Sequence, residues 1–286
     1  MADHLSIDSK TNNKISSINE GLFSTQLFKQ YKKWPVSIKT IITIIALMNI
    51  LLISSVIISL FAESSVLDVL KVFKSINVLS AFKITLFSLS VSALLTIILG
   101  VPFSFFIVKK DNKLNRVLNV LITLPLLLPP SITGLALLLT FGSRGILADI
   151  TSNIAFSFTA LIIVQLFVML PLFTQSLKNG FSAVNNKMVE AALVGGAGEK
   201  ELLFNIYLPL NIRSFSTGLI MAVLRGAGEF GATMIFAGNL SGKTQTLSTA
   251  IYSLTQTDLS QAVALAVIMI TAFILPLILL EFKIKA

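Results

Sequence analysis

The sequence predicts an all-α polytopic membrane protein with six transmembrane helices and both termini cytoplasmic. Three observations point there. Of the 286 residues, 55% are hydrophobic and only 12% are charged. An ordinary soluble domain carries about 25% charged residues, so too few polar side chains are present to cover a water-solvated globule. The apolar residues also run in long uninterrupted stretches. A barrel would show roughly ten-residue strands of alternating polarity, whereas a helix satisfies its backbone groups within one lipid-embedded segment. Finally, six such spans would leave Lys29, Lys32, Lys33, Lys109, Lys110, Lys113, Arg116, Lys178, Lys187, Lys200, Lys283 and Lys285 on one side, and only Lys71, Lys74, Arg144 and Lys243 on the other. The positive-inside rule makes the first side cytoplasmic.

The same composition excludes several kinds of chemistry. There is no cysteine, and the single histidine is His4 in the N-terminal tail. Disulfides, thiol catalysis, a histidine-based triad and a His-rich metal site cannot be built within one chain. The net charge of +9 is spread among apolar runs without a continuous basic stripe, so it reads as orientation of the spans and not as a nucleic-acid surface.

Residues 1–38 form a polar cytoplasmic tail in which LFKQYKKW suits a short piece on the membrane surface. A first transmembrane helix follows over 39–62, then a short loop at 63–77. The second span covers about 78–108 and closes on Lys109 and Lys110. The third, about 117–141, contains Pro125, Pro129 and Pro130. Each proline removes an intrahelical hydrogen bond and crowds the preceding turn, so Pro129-Pro130 mark either a broken helix beside a pathway or a packing kink. Pro102, Pro171 and Pro276, alone in their spans, read as kinks. The fourth span covers about 155–177. The fifth is expected from Pro209, at a first-turn position, to Ala237. A polar loop at 238–258 and a sixth span at about 259–281 complete the chain.

Between the fourth and fifth spans lies a long polar inner segment. Lys187 to Val194, with Glu190-Ala191-Ala192, has good helix formers; Gly195, Gly196 and Gly198 break that helix; Glu199 to Phe204 can form a second short helix. On these residues alone the segment is a structured connector. In the fifth span Arg225 and Glu229 stand i, i+4 and can meet on one face. Ionisable residues within a span are costly and mark a pathway or a buried pair; both readings stand, as a gate or anion path and as a neutralised structural pair. Gly231 and Thr233 follow on the same stretch. Gly218, Ala222 and Gly226 form a small-residue ridge for close helix contact. Gly242-Lys243-Thr244 lacks the upstream glycine of a phosphate-binding loop, because Ala237 stands there, so no nucleotide site is expected.

The spacing Glu190-Ala191-Ala192, three residues, Gly196, nine residues, Ile206, one residue, Leu208-Pro209 resembles, at all seven positions, the cytoplasmic signature of binding-protein-dependent ABC transporter permeases. The resemblance implies the ABC importer type I permease fold over 78–286, with 39–62 as an additional first helix. It further implies that loop 178–208 couples the chain to a separate ATPase subunit through those seven residues. ATP and magnesium would then belong to the partner ATPase, with no cofactor in this chain. The implied assembly contains a second copy of the chain, cytoplasmic ABC ATPases and an external solute-binding protein, in the cell membrane and without nucleic acid. Gly228-Glu229-Phe230-Gly231-Ala232-Thr233, Phe236-Ala237-Gly238-Asn239 and Gly242 to Leu247 are similar to the molybdate branch of that family, and the Gly-Glu-Phe-Gly core and Gly-Lys-Thr are shared with the sulfate branch. Gly226-Ala227-Gly228 departs from the bulkier pattern of relatives. The expected substrate is molybdate, with tungstate or sulfate and thiosulfate as alternatives. An ion-coupled secondary transporter using Glu229 as its carboxylate is the reading from another class; it leaves the Glu-Ala-Ala signature unexplained. The spans contain no constellation suited to an intramembrane enzyme.

Overall fold

The computed structural model describes residues 35–109, 112–150 and 154–285, with side chains through 273. The expected tail falls mostly outside the described residues, including LFKQYKKW, as does Lys110. All regular structure among the described residues is helical. The chain divides between Ala62 and Glu63 into two compact units. The described part of the first is essentially one helix, α1 (Val36–Glu63), which has no buried residue.

In the second unit, α2 (Val66–Lys74) is followed by α3 (Ile76–Lys109), α4 (Lys113–Leu127), α5 (Pro130–Phe141) and α6 (Phe158–Ser182). Then come α7 (Asn186–Val194), α8 (Glu199–Leu210, whose middle Leu203–Tyr207 is a π-helical turn) and α9 (Ile212–Ala227). A separate π-turn covers Thr233–Ala237 before α10 (Leu247–Thr255) and α11 (Leu259–Lys285). Three helices, α1, α3 and α6, are long and apolar enough to cross a membrane unbroken. Two helix pairs are apolar enough only when taken together, and both are sharply bent: α4 with α5 at 115° and α8 with α9 at 77°. By length and composition the described residues thus hold three spans, or up to five where each bent pair counts as one, and Leu259–Phe273 of α11 is a shorter apolar stretch.

The first bend follows from local chemistry. A residue before proline is driven out of the helical region. Leu128 precedes Pro129, which precedes Pro130, and both are extended, at φ −80°, ψ 131° and φ −53°, ψ 140°. Two consecutive extended residues end one helix, and Pro130 then suits the first turn of the next. Pro102, Pro125 and Pro171, by contrast, lie inside continuous helices.

Of the two readings of Pro129-Pro130, the broken helix is the one observed: the third stretch is α4 and α5. Three expectations need correction. The fifth span does not open at Pro209: the chain bends at Asn211, whose buried side-chain amide donates to the Tyr207 carbonyl at 2.9 Å. The transmembrane helix then runs from Ile212 and stops at Ala227, short of Ala237. The expected loop at 63–77 contains α2, capped by Ser65 and burying Val72. The expected loop at 238–258 contains α10, begun by a reciprocal capping box between Thr246 and Thr249. Both helices are short and mix polar with apolar residues, so neither registers as an apolar run.

The core is built on α3, α6 and α9. Gly218, Ala222 and Gly226 are buried on one ridge of α9. A Cβ on Gly218 would stand 2.6 Å from the Ser176 Cβ, and one on Gly226 would stand 2.7 Å from the Met169 sulfur. The small ridge thus lets α9 approach α6 closely. Buried polar side chains tie α3 to α6: Gln165 Nε2 donates to Ser88 Oγ at 3.0 Å, and Ser92 Oγ donates to Gln165 Oε1 at 3.1 Å.

Candidate coupling segment and polar break

Helix α7 is held at both ends by local chemistry. The Asn185 side chain accepts from the Lys187 amide at 2.9 Å, as an N-cap does. At the other end Gly196 N–H reaches the Leu193 carbonyl at 3.0 Å and Ala197 N–H reaches the Ala192 carbonyl at 2.9 Å. This bond pair is a Schellman stop, which requires a left-handed residue between its two closures. Gly196 supplies it at φ +88°, and nothing lies within 4 Å of where its Cβ would be.

One face of the segment packs inward. Val189, Ala192, Ala197, Ile206 and Leu208 lie against a buried cluster that includes Phe105, Phe181, Leu202, Leu203 and Tyr207. The Tyr207 ring is clamped edge-on between Phe105 of α3, at 5.2 Å, and Phe181 of α6, at 5.3 Å. Lys109, the last residue of α3, forms an ion pair with Glu199 at the start of α8. The other face is open. Glu190, Ala191 and Gly196 are exposed, and so are apolar Met188 (40%), Leu193 (52%) and Val194 (91%). The anchored helix thus presents an exposed apolar outer face. Glu190 to Pro209 thus fall into a single helix–turn–helix unit, with Ile206 and Leu208 facing the core and Pro209 exposed.

The second candidate site is the stretch after α9. Arg225 Nη1 and Glu229 Oε2 are 2.7 Å apart, so the expected i, i+4 pair forms. The partners differ in setting: the Glu229 side chain is 1% exposed and that of Arg225 is 41% exposed. Glu229 Oε1 also accepts from the Ala232 N–H at 3.0 Å, and its carbonyl accepts from Ser248 Oγ at 2.8 Å. Both carboxylate oxygens therefore have donors within the chain, and the residue starts the turn that becomes Thr233–Ala237.

That turn presses on the broken span. A Cβ on Gly231 would come 2.8 Å from Pro130 Cβ, and one on Gly134 of α5 would come 2.8 Å from Ala232 Cα. Glycine at both positions lets two irregular backbones touch. Thr233 is 1% exposed, and its Oγ1 has no hydrogen-bond partner. Arg225, Glu229, Gly231 and Thr233 are thus gathered where the π-turn meets the Pro129-Pro130 break.

Gly242-Lys243-Thr244 closes on itself, with the Leu240 N–H donating to the buried Thr244 Oγ1 at 3.1 Å. Sequence reasoning missed the Gln165 clamp, the Tyr207 clamp, the Lys109–Glu199 pair, and a polar cluster of Asn119, Thr123, Gln175 and Lys178. Glutamines within apolar runs were the available signal for two of these.

A family model described as "Binding-protein-dependent transport system inner membrane component" matches residues 96–282. The chain belongs to this family. As such it is a multi-pass protein of the inner membrane and a permease component of ABC transport systems, a type of subunit that performs no catalysis itself. Over 200 residues it is 37% identical to the probable transport system permease protein NifC of Clostridium pasteurianum, covering 68% of this chain and 70% of that one. It is 31% identical to the molybdenum transport system permease protein ModB of Escherichia coli K12, over 67% of this chain and 87% of the relative. Among solved structures, a bacterial alginate ABC transporter in complex with an alginate-bound periplasmic protein superimposes with a TM-score of 0.67 at 16% identity, over 85% of this chain and 91% of that chain. At that identity the match speaks for the fold.

Proposed function

We propose that the chain is the membrane-spanning subunit of an ATP-driven importer for molybdate. The observation that carries the coupling half of this reading is α7, capped at both ends and clamped through Tyr207, with an apolar outer face left open. Two copies of the chain form the working unit, each docking a cytoplasmic ABC ATPase on residues 187–205, with ATP and magnesium held by the ATPase. An external solute-binding protein delivers the oxyanion to a path on the twofold axis. Closure of the ATPases moves each α7, and the clamp passes that movement to α3 and α6 as a rigid-body shift. Alternating access follows, first outward and then inward. Arg225, Glu229, Gly231 and Thr233 form a gate beside the path; with both carboxylate oxygens already engaged, Glu229 is a hinge-side pin and no direct ligand for a dianion. The 30–36% identity to molybdenum transport permeases supports molybdate over sulfate.

Uptake into proteoliposomes containing the permease, its ATPase and its solute-binding protein tests this. Radiolabelled molybdate should accumulate only with internal ATP, and excess molybdate or tungstate should compete where sulfate does not. Accumulation driven by a proton gradient without the ATPase would overturn the proposal.

A further inference from the structure

At the end of α3 farthest from Lys109 and the coupling segment, α2, α3, α10 and α11 border a cavity of about 130 Å³. Its lining side chains are all apolar, among them Phe73 of α2, Leu79 and Phe82 of α3, Leu247 of α10 and Leu265 of α11. Leu247 and Leu265 belong to a buried cluster, whereas Phe73, Leu79 and Phe82 are exposed. The cavity is therefore a slot, floored by the core and rimmed by side chains that face the surroundings of the helices. An apolar cavity of about 150 Å³ stays dry and takes up a small hydrocarbon. In a bilayer the hydrocarbon at hand is an acyl chain.

The helix beside the slot suits a membrane surface. With nine residues, α2 is too short to cross a bilayer. Val69 and Val72 pack toward the core, Leu67, Leu70 and Phe73 are exposed, and Asp68, Lys71 and Lys74 are its charged residues. A helix of this kind lies in the interface with its apolar side in the acyl region.

Two cations stand at the rim by their place in the chain. Lys74 follows Phe73. Lys83 follows Phe82 and shares a helix face with Leu79, four residues earlier. A helical side chain covers the turn before its own Cα, so the exposed Lys83 runs back over Leu79 toward the start of α3. Its Cα lies about 10 Å inside that start, a depth at which an ammonium is costly unless it snorkels or meets an anion. Neither lysine has an ion-pair or hydrogen-bond partner among the described residues. The acids of α2 and of the α10–α11 turn are engaged elsewhere. Asp68 pairs with Lys71 at 3.0 Å, and Asp258 accepts from the Gln261 backbone at 3.1 Å and side chain at 2.7 Å.

We propose that the slot holds one acyl chain of an anionic phospholipid whose phosphate lies between Lys74 and Lys83. The assignment uses none of the coupling or gate residues, so it stands or falls apart from the transport reading.

The test uses the full chain purified in detergent, with phosphatidylglycerol added stepwise and thermal unfolding as the readout. Diacylglycerol, which has the same chains and no phosphate, is the comparison lipid. Phosphatidylglycerol should stabilise saturably, and diacylglycerol should need about tenfold more for half the effect. Val78→Phe fills the slot from its lining. It and the double variant Lys74→Gln with Lys83→Gln should each raise the half-saturating phosphatidylglycerol about tenfold. Arg144→Gln, at an exposed cation of the loop after α5, should leave it unchanged. No saturable response of the wild-type chain overturns the site, and so does equal stabilisation by diacylglycerol. Wild-type half-saturation in either slot variant, or an equal loss in Arg144→Gln, overturns it as well. Should Val78→Phe fail to fold, Leu79→Trp, from the exposed rim, takes its place with the same two outcomes.

Discussion

Arg225 and Glu229 set the energetic terms of the irregular stretch after α9. A sealed carboxylate is tolerable only while a cation and an amide answer it. Removing the cation leaves the buried charge uncompensated, which costs about 3–5 kcal/mol in comparable pairs. Arg225→Ala should therefore lower the melting temperature of the purified permease sharply, while Arg225→Lys should lower it less. Pairing Arg225→Met with Glu229→Gln should recover most of the loss, because the amide still accepts from Ala232 and no charge remains buried. A double variant no more stable than Arg225→Ala would show that the pair does not work through charge. Asp258 gives a second prediction. The Gln261 backbone N–H donates to its carboxylate at 3.1 Å, and this bond, with the Gln261 side chain, holds the Asp258 carboxyl below the ordinary range. Its contribution at the head of α11 is therefore full above the ordinary carboxylate pKa and is lost as pH falls through the lowered value. Asp258→Asn should flatten that part of the acid limb of stability; an unchanged limb would count against the cap.

At the scale of elements, the coupling unit depends on the clamp at Tyr207 more than on any surface charge. The exposed Lys109–Glu199 pair is worth about 1 kcal/mol or less, so Lys109→Gln should be nearly silent. Tyr207→Ala empties a packed aromatic site, a change that costs about 3–5 kcal/mol for large aromatic side chains. It should also let ATP hydrolysis by the docked ATPase run on without uptake, while Tyr207→Phe keeps both coupled. Coupled transport in Tyr207→Ala would move the transmission elsewhere. The clamp also illustrates what could be read from sequence. Long apolar spans announced α1, α3 and α6 because composition alone decides them, and the helix–glycine–helix pattern of 187–204 followed from helix formers and glycine breakers. The Pro129-Pro130 break could be located but not decided, since its 115° bend depends on both Leu128 and Pro129 becoming extended. Tyr207 was invisible because its partners are 102 and 26 residues away. The helices α2 and α10 were missed because capping side chains, not apolar runs, start them. The Arg225–Glu229 contact was legible from i, i+4 spacing, whereas the unequal burial of its partners came from packing across the α5 break.

For the whole molecule, the division between Ala62 and Glu63 separates one apolar helix from the unit that carries every candidate site. The family match begins at residue 96, beyond α1 and α2. A lone apolar helix satisfies its own backbone in lipid and needs no partner to remain helical, and none of the residues of α1 is buried. The core built on α3, α6 and α9, with its polar ties at Gln165 and its ridge at Gly218, Ala222 and Gly226, lies wholly within residues 63–286. Deletion of residues 1–62 should yield a permease that still inserts, still retains its ATPase through detergent purification, and still supports ATP-dependent molybdate uptake in proteoliposomes. Reduced yield in cells with normal activity of the purified protein would assign the first helix to targeting or insertion. A truncated permease that inserts and melts like the full chain but no longer binds its ATPase would show instead that α1 takes part in the working assembly.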